Sequence, residues 1–236
     1  MLVWPAASFG WRFDEIKRAM KTSSVETYAP APRWTAIFAL IAVSVLYAGL
    51  PERLLFGPRY FLVIVIALLS LPTIWSHRAG RHDINQILGY IVLGIETIGL
   101  VTSVTLLVSG LATHRDAPLQ LLKSAGVLWL SNILIFALWY WRLDAGGPHR
   151  RAAKPGHREG AFQFPQMALS KGDANYNANW SPDFIDYLFL AFNSSTALSP
   201  TDTAVFSRWA KILMMLQALI SLSLIAVLAA RAVNEL

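Results

Sequence analysis

Residues 87–111 read ILGYIVLGIETIGLVTSVTLLVSGL, and this stretch decides the fold class. It is 25 residues long, and Glu96 is its only charged side chain. A helix needs about 20 apolar residues to cross the hydrocarbon layer of a bilayer. The stretch therefore predicts a transmembrane helix that carries one carboxyl group near its centre.

The composition of the whole chain agrees with this stretch. Of 236 residues, 55% are hydrophobic and 14% are charged, and the mean hydropathy is +0.46. About a quarter of the residues of an ordinary soluble domain are charged. The composition predicts an all-α, polytopic transmembrane helical bundle whose first partner is the lipid bilayer.

Apolar runs of suitable length predict five full spans. The shorter runs are extended by flanking Tyr, Trp and Arg side chains, which reach the headgroup level. The five predicted spans are residues 34–50, 60–75, 87–111, 119–141 and 209–233. Residues 183–197 are shorter and polar at both ends, so they predict either a short sixth span or a re-entrant helix.

These patterns divide the chain into four parts. Residues 1–33 contain a basic amphipathic pattern that predicts a helix on the membrane surface, with a disordered tail as the alternative. Residues 34–143 form a four-helix transmembrane region, and residues 144–182 form a basic loop with no helix expected before its end. Within that loop, the apolar residues 162–167 are expected to pack back onto the membrane part. Residues 183–236 predict a short helix, a turn and the last transmembrane helix.

Several classes of function find no support in the sequence. The chain has no cysteine, which excludes disulfides, thiolate metal sites and cysteine nucleophiles. Its five histidines lie in predicted loops, and none shares a helical face with a carboxylate at zinc-binding spacing. No common catalytic or nucleotide-binding motif occurs. We therefore expect no enzyme activity, no cofactor and no metal.

The basic residues indicate orientation rather than nucleic-acid binding. The net charge is +6, but the Lys and Arg side chains flank apolar spans. With residues 183–197 counted as a sixth span, 14 of them fall on the side of the N-terminus and 6 on the other side. Because Lys and Arg are enriched in cytoplasmic loops, we expect a multi-pass protein of the inner (plasma) membrane with a cytoplasmic N-terminus.

Glu96 is the most informative single side chain. A carboxylate at mid-bilayer has to be neutral, paired or beside water. The residues that share its helical face are mostly small, which lets another helix approach closely; they include Gly89, Gly99 and Ser103. Glu96 is therefore expected to face protein. It predicts a proton or cation site, or else an interhelical hydrogen bond to Asn132 or Ser131.

The turn before the last span resembles the pore loop of tetrameric cation channels. Residues 192–202, FNSSTALSPTD, align without a gap with the potassium-channel pattern F-x-T-x-T-T-V-G-Y-G-D, and Phe192, Thr196 and Asp202 match. The two filter glycines are replaced by Ser199 and Thr201, so a potassium filter is not implied. The resemblance implies a constriction formed by Thr196, Ser199 and Asp202. The alternative is an ordinary turn that caps the next helix.

The last fifty residues also resemble a bacterial family of uncharacterised integral membrane proteins. The shared features are the turn at residues 199–202, the start of the last helix at residues 208–211, and the ending at residues 230–234. Residues 164–167 belong to the same resemblance. This family implies no particular activity.

Gln217 and Ser221 lie four residues apart on one face of the last predicted span. Such a polar stripe indicates either a pore lining or a seam between helices. The sequence thus favours an oligomeric, pore-loop-like ion channel without a potassium filter, with Gln217 in the pore and Glu96 as a gating acid. The alternatives are a non-conducting scaffold that binds a membrane-protein partner, and a proton-coupled transporter that uses Glu96.

Overall fold

The computed structural model describes residues 34–55, 57–58, 60, 64, 82–111, 117–152, 160–199 and 202–233. The predicted surface helix within residues 1–33 lies outside these ranges. So do nearly all of the predicted span at 60–75 and residues 200 and 201 of the turn.

The described chain is mostly helical. Three helices are long and apolar enough to cross a membrane by length and composition, which suggests a membrane protein and agrees with the predicted helical class. In chain order the helices are α1 (Trp34–Ala48), α2 (His82–Leu111), α3 (Pro118–Leu143), α4 (Pro148–Ala152), α5 (Pro165–Ala168), α6 (Phe184–Thr196) and α7 (Arg208–Val233). The long ones are α2, α3 and α7; α1 is apolar but has only 15 residues.

The basic loop is more structured than the sequence predicted. Helices α4 and α5 both lie inside it, so the expectation of no helix before its last residues is wrong. Each begins at a proline, whose fixed φ suits the first position of a helix and whose missing N–H is not needed there. Two short strands, β1 (Phe162–Gln163) and β2 (Ala204–Val205), also pair in antiparallel register.

Helix α3 has a sharp C-terminal end. It begins at Pro118, in the first-turn position that suits proline. It ends before three successive residues with positive φ: Ala145 at 53°, Gly146 at 78° and Gly147 at 96°. A right-handed helix cannot continue through such a run. The chain therefore turns away from the helix axis immediately after Leu143.

Contacts across the bundle define its two ends. We name these two ends after α3. The Asp144 end is the one at which α3 finishes, and the Pro118 end is the one at which α3 begins. Helix α2 runs antiparallel to α3, because Gln86 bonds the Gly146 carbonyl and the Tyr90 ring stacks on Trp139. The turn after α1 contacts the C-terminal half of α2, where Ser103 donates to the Leu54 carbonyl at 2.6 Å. Helix α1 therefore runs towards the Pro118 end.

Helices α6 and α7 are parallel, and both begin at the Asp144 end. At the start of α6, Phe184 packs edge-on against Trp141. At the start of α7, Trp209 packs against Phe162, which also contacts Tyr187 of α6. Further along both helices, Gln217 bonds the Ala191 carbonyl. After α6 the chain must consequently return to the end from which it entered.

The returning segment, described at residues 197–199 and 202–207, makes this reversal possible. Thirteen residues of α6 advance about 20 Å at 1.5 Å per residue. The eight residue steps from Thr196 to Ala204 span about 26 Å when extended, so they can cover the way back. Strand β2 then pairs with β1, and the Phe206 N–H donates to the Ala161 carbonyl at 2.8 Å. We call α6, the returning segment and α7 together the α6–α7 hairpin.

An aromatic cluster packs the Asp144 end. Phe162 is 1% exposed and its ring lies 5.2 Å from Tyr140 and 5.9 Å from Trp209. Phe164 contacts Tyr187 at 5.3 Å between ring centroids. Offset and edge-on ring pairs of this kind stabilise by about 0.5–1.5 kcal/mol each beyond their buried area. The prediction that residues 162–167 pack back onto the helices is confirmed.

Candidate functional site

The tip of the α6–α7 hairpin is an exposed, sharply turned backbone. Leu198 has φ 53°, a left-handed conformation that costs a residue with a Cβ about 1–2 kcal/mol. It follows the helix end at Ala197, whose N–H still bonds the Asn193 carbonyl. Residues held in such a conformation concentrate at turns and functional sites. This turn stops α6 and directs the chain into the returning segment.

All three residues of the predicted constriction lie on this tip and the returning segment. Thr196, Ser199 and Asp202 are all exposed in the single chain. Thr196 turns its hydroxyl back onto its own helix, donating to the Phe192 carbonyl at 2.9 Å. Their side chains thus reach the surface of one copy, where a neighbouring copy could also contact them.

Gln217 lies elsewhere, in the interior of the bundle. Its Nε2 donates to the Ala191 carbonyl at 2.7 Å and to the Ser195 hydroxyl at 2.8 Å. Its Oε1 accepts from the Tyr140 hydroxyl at 2.5 Å. One amide side chain therefore joins α3, α6 and α7, and it has no exposed surface.

Asn132 forms a second polar link between α3 and α7. Its Nδ2 donates to the Ser221 hydroxyl at 2.9 Å and to the Gln217 carbonyl at 3.2 Å. Because a carbonyl oxygen can only accept, these bonds fix which atom of the amide is nitrogen. The Asn132 Oδ1 is buried without a hydrogen-bond partner. The polar stripe of Gln217 and Ser221 is a helix seam within this chain.

Glu96 is buried near the middle of α2. It is 1% exposed, which confirms that it faces protein. Neither carboxyl oxygen has a hydrogen-bond partner, so the hydrogen bond to Asn132 or Ser131 that the sequence offered as an alternative is not formed. One small residue of its face has a clear role, since a Cβ on Gly89 would overlap the Arg142 guanidinium.

The five predicted site residues thus fall into two groups. Glu96 and Gln217 lie inside the bundle, and Thr196, Ser199 and Asp202 lie on the exposed part of the hairpin. The two groups are linked through α6, because Gln217 holds Ser195, the neighbour of Thr196. Their assignment to a pore or a gate stays a prediction.

A buried cluster at the Asp144 end was missed by the sequence reasoning. Asp144 has no exposed surface. Its carboxylate accepts from the Ala161 N–H and from the Tyr187 hydroxyl, both at 2.6 Å. Arg151 donates to the Asp144 carbonyl oxygen at 2.7 Å and lies 5.0 Å above the Tyr187 ring. This cluster ties the end of α3 to α4, to β1 and to α6.

The beginning of α6 is fixed by a capping box. Asp183 accepts from the Ile185 N–H at 2.8 Å, and Asp186 accepts from the Asp183 N–H at 2.8 Å. Such reciprocal bonds satisfy the free N–H groups of the first helical turn. Burial of Asp186 raises the pKa of its carboxyl to about 6, and burial likewise raises the pKa of the Tyr187 hydroxyl well above its usual value. The capping box at residues 183–186 therefore fixes the residue at which α6, the first helix of the hairpin, begins.

The sequence carried only a weak signal for these contacts. Asp144 follows an apolar span and precedes Gly146-Gly147, which suits a turn as well as a buried cluster. Tyr140 and Gln217 are 77 residues apart, and nothing local indicates that they bond. Only the packing of α3 against α7 brings them together.

Comparisons with protein-family models, with curated proteins and with solved structures found no match to this chain. The geometry of the molecule is thus the basis for any functional conclusion.

Proposed function

We propose that this protein is a multi-pass membrane protein in which several copies form a cation-permeable pore. The observation that carries the proposal is the course of the α6–α7 hairpin. A short helix enters, an irregular segment returns to the same end, and a long apolar helix starts there. In a bilayer this course makes α6 re-entrant, the arrangement that the resemblance to pore loops implies.

Exposed polar groups on the hairpin support a pore between copies. Irregular backbone at membrane depth is tolerated where it is buried in protein or lines a water-filled cavity. Thr196, Ser199 and Asp202 are exposed on the single chain, and a symmetric oligomer would gather them into rings. A ring of Asp202 carboxylates favours cations. The pore would differ from a potassium filter because Ser199, Pro200 and Thr201 replace its central Gly-Tyr-Gly.

The charges of the loops favour entry of the hairpin from the cytoplasm. Residues 144–183, which connect α3 to α6 at the Asp144 end, contain five Lys and Arg. Residues 112–117, which connect α2 to α3 at the opposite end, contain one. By the positive-inside rule the Asp144 end is cytoplasmic. The N-terminus is then cytoplasmic, as predicted from the sequence, and α7 ends on the outer side.

This orientation also fits five spans in the inner membrane. Helix α1 leads to the Pro118 end, whereas α2 begins at the Asp144 end. Residues 56–81 must therefore connect the two ends, and the predicted span at 60–75 suits that connection. With α1, α2, α3 and α7 this makes five spans and one re-entrant helix.

Cation flux into liposomes tests the proposal. Purified protein reconstituted in liposomes should conduct small monovalent cations in preference to anions. Asp202→Asn, which keeps the shape of the side chain and removes its charge, should lower this preference severalfold. Asp173→Asn is the matched control, because Asp173 is exposed in the loop before α6 and lies outside the hairpin.

Flux no greater than in empty liposomes would contradict the proposal, and so would a cation preference that Asp202→Asn leaves unchanged. A stable monomer without flux that carries a co-purified protein would instead favour a membrane scaffold.

A further inference from the structure

Buried polar atoms without partners concentrate in the middle of α2 and α3. Among the described residues, four buried side-chain atoms have no hydrogen-bond partner: both carboxyl oxygens of Glu96, Oδ1 of Asn132 and Nε1 of Trp129. Buried polar atoms of folded proteins are nearly always hydrogen-bonded, so each exception requires a physical explanation. The unpaired oxygens all belong to Glu96 and Asn132.

An ionised carboxylate is costly at the position of Glu96. The side chain is 1% exposed, and residues 86–110 contain no other charged group. A carboxylate in this setting accepts no hydrogen bond from the described residues, so nothing among them replaces its lost hydration. A neutral carboxyl group avoids that cost, because its one O–H needs only one acceptor.

No described charged group hydrogen-bonds Glu96 from the elements packed against α2. On α3, the Arg142 guanidinium packs against Gly89, two helical turns from Glu96, and attracts negative charge from there. The Tyr140 hydroxyl of the same helix donates to Gln217. On α7, Lys211 is exposed; on the turn that carries Leu54, Glu52 and Arg53 are exposed as well.

Asn132 lies deeper in the bundle than Glu96. Helices α2 and α3 are antiparallel, and their register is set where Gln86 bonds the Gly146 carbonyl and Trp139 donates to the Thr97 hydroxyl. Counted from these two contacts at 1.5 Å per residue, Asn132 lies about 6–12 Å further from the Asp144 end than Glu96. The unpaired oxygens of the two side chains therefore belong to separate places in the bundle.

We propose that Glu96 is a reversible proton-binding site inside the bundle, with a neutral carboxyl group in the packed state. Loss of the proton would leave a buried anion that accepts no hydrogen bond from the described residues. The binding site itself does not depend on conduction.

Infrared spectroscopy of the full-length protein in detergent tests the site directly. At neutral pH the wild type should show the carbonyl band of a protonated carboxylic acid. Glu96→Gln should remove this band, and Glu52→Gln should keep it, because Glu52 is an exposed glutamate of the same chain. In alkaline buffer the wild-type band should disappear reversibly.

The melting temperature gives a second reading, because ionisation of a buried carboxyl group lowers stability. It should fall in alkaline buffer for the wild type and fall less for Glu96→Gln.

A spectrum at neutral pH without a Glu96-dependent acid band would overturn the proposal. So would a band that persists unchanged in alkaline buffer while the protein remains folded, because the proton would then not be exchangeable. Liposome flux is measured separately, so failure of the pore leaves this result unaffected.

Discussion

At the scale of single residues, Gln217 makes more of the described hydrogen bonds to other helices than any other side chain of α7. Its amide satisfies groups on three helices, and it is fully buried. In a membrane an interhelical hydrogen bond contributes about 0.6 kcal/mol on average, but a polar group left unpaired in the interior costs more. The importance of Gln217 thus lies in what its removal would leave unsatisfied.

We expect Gln217→Leu to lower the free energy of unfolding by about 1–3 kcal/mol, since the Tyr140 and Ser195 hydroxyls would lose their partner. Reversible unfolding in mixed detergent and denaturant micelles measures this change. Ser223→Ala is the control, because Ser223 is exposed on the same helix and bonds only its own backbone. Equal losses for both variants would show that the seam contributes nothing specific.

At the scale of elements, the Asp144 cluster fixes where the hairpin begins. Gly160 makes the cluster possible, because a Cβ at this position would lie 2.7 Å from the Asp144 Oδ1. Gly172 is in the same loop, and a Cβ there would meet nothing within 4 Å. The two glycines therefore provide a matched pair for testing the contact.

We expect Gly160→Ala to displace the Asp144 carboxylate from the Ala161 N–H and the Tyr187 hydroxyl, lowering stability by about 1–3 kcal/mol. Gly172→Ala should stay within about 0.5 kcal/mol of the wild type. Thermal unfolding in detergent, followed by circular dichroism, compares the two. The role assigned to the cluster would be wrong if both variants melted at the same temperature as the wild type.

At the scale of the whole molecule, the course of the hairpin relative to the bilayer is the main expectation. The cysteine-free sequence permits single-cysteine labelling from either side of a membrane. Three exposed alanines are suitably placed: Ala174 before α6, Ala204 in β2, and Ala117 at the opposite end of the bundle. Each can be exchanged without removing a charge.

We expect Ala174→Cys and Ala204→Cys to react with a membrane-impermeant maleimide from the cytoplasmic side, and Ala117→Cys to react from the outer side. The reason is that α6 and the returning segment bring the chain back to the end where α6 began. Intact cells and inside-out vesicles distinguish the sides. Labelling of the Ala174 and Ala204 positions from opposite sides would make α6 a sixth span.

The sequence predicted the class of the fold because that class depends on local properties. Length and apolar composition identified α2, α3 and α7, and the small residues around Glu96 indicated that it is buried. Lipid as solvent imposes both properties, since every backbone group must be bonded within a helix and an acid must face protein.

The course of the hairpin was decided only by the tertiary structure. Residues 183–197 suited both a sixth span and a re-entrant helix, because length and hydropathy do not determine which way the chain runs after a short helix. Contacts between distant residues settle its direction in the fold: Ser195 with Gln217, Tyr187 with Asp144, and β1 with β2. Ser195 and Gln217 are 22 residues apart in the sequence, and Tyr187 and Asp144 are 43 residues apart. They depend on how the helices pack, which the local pattern of the sequence does not contain.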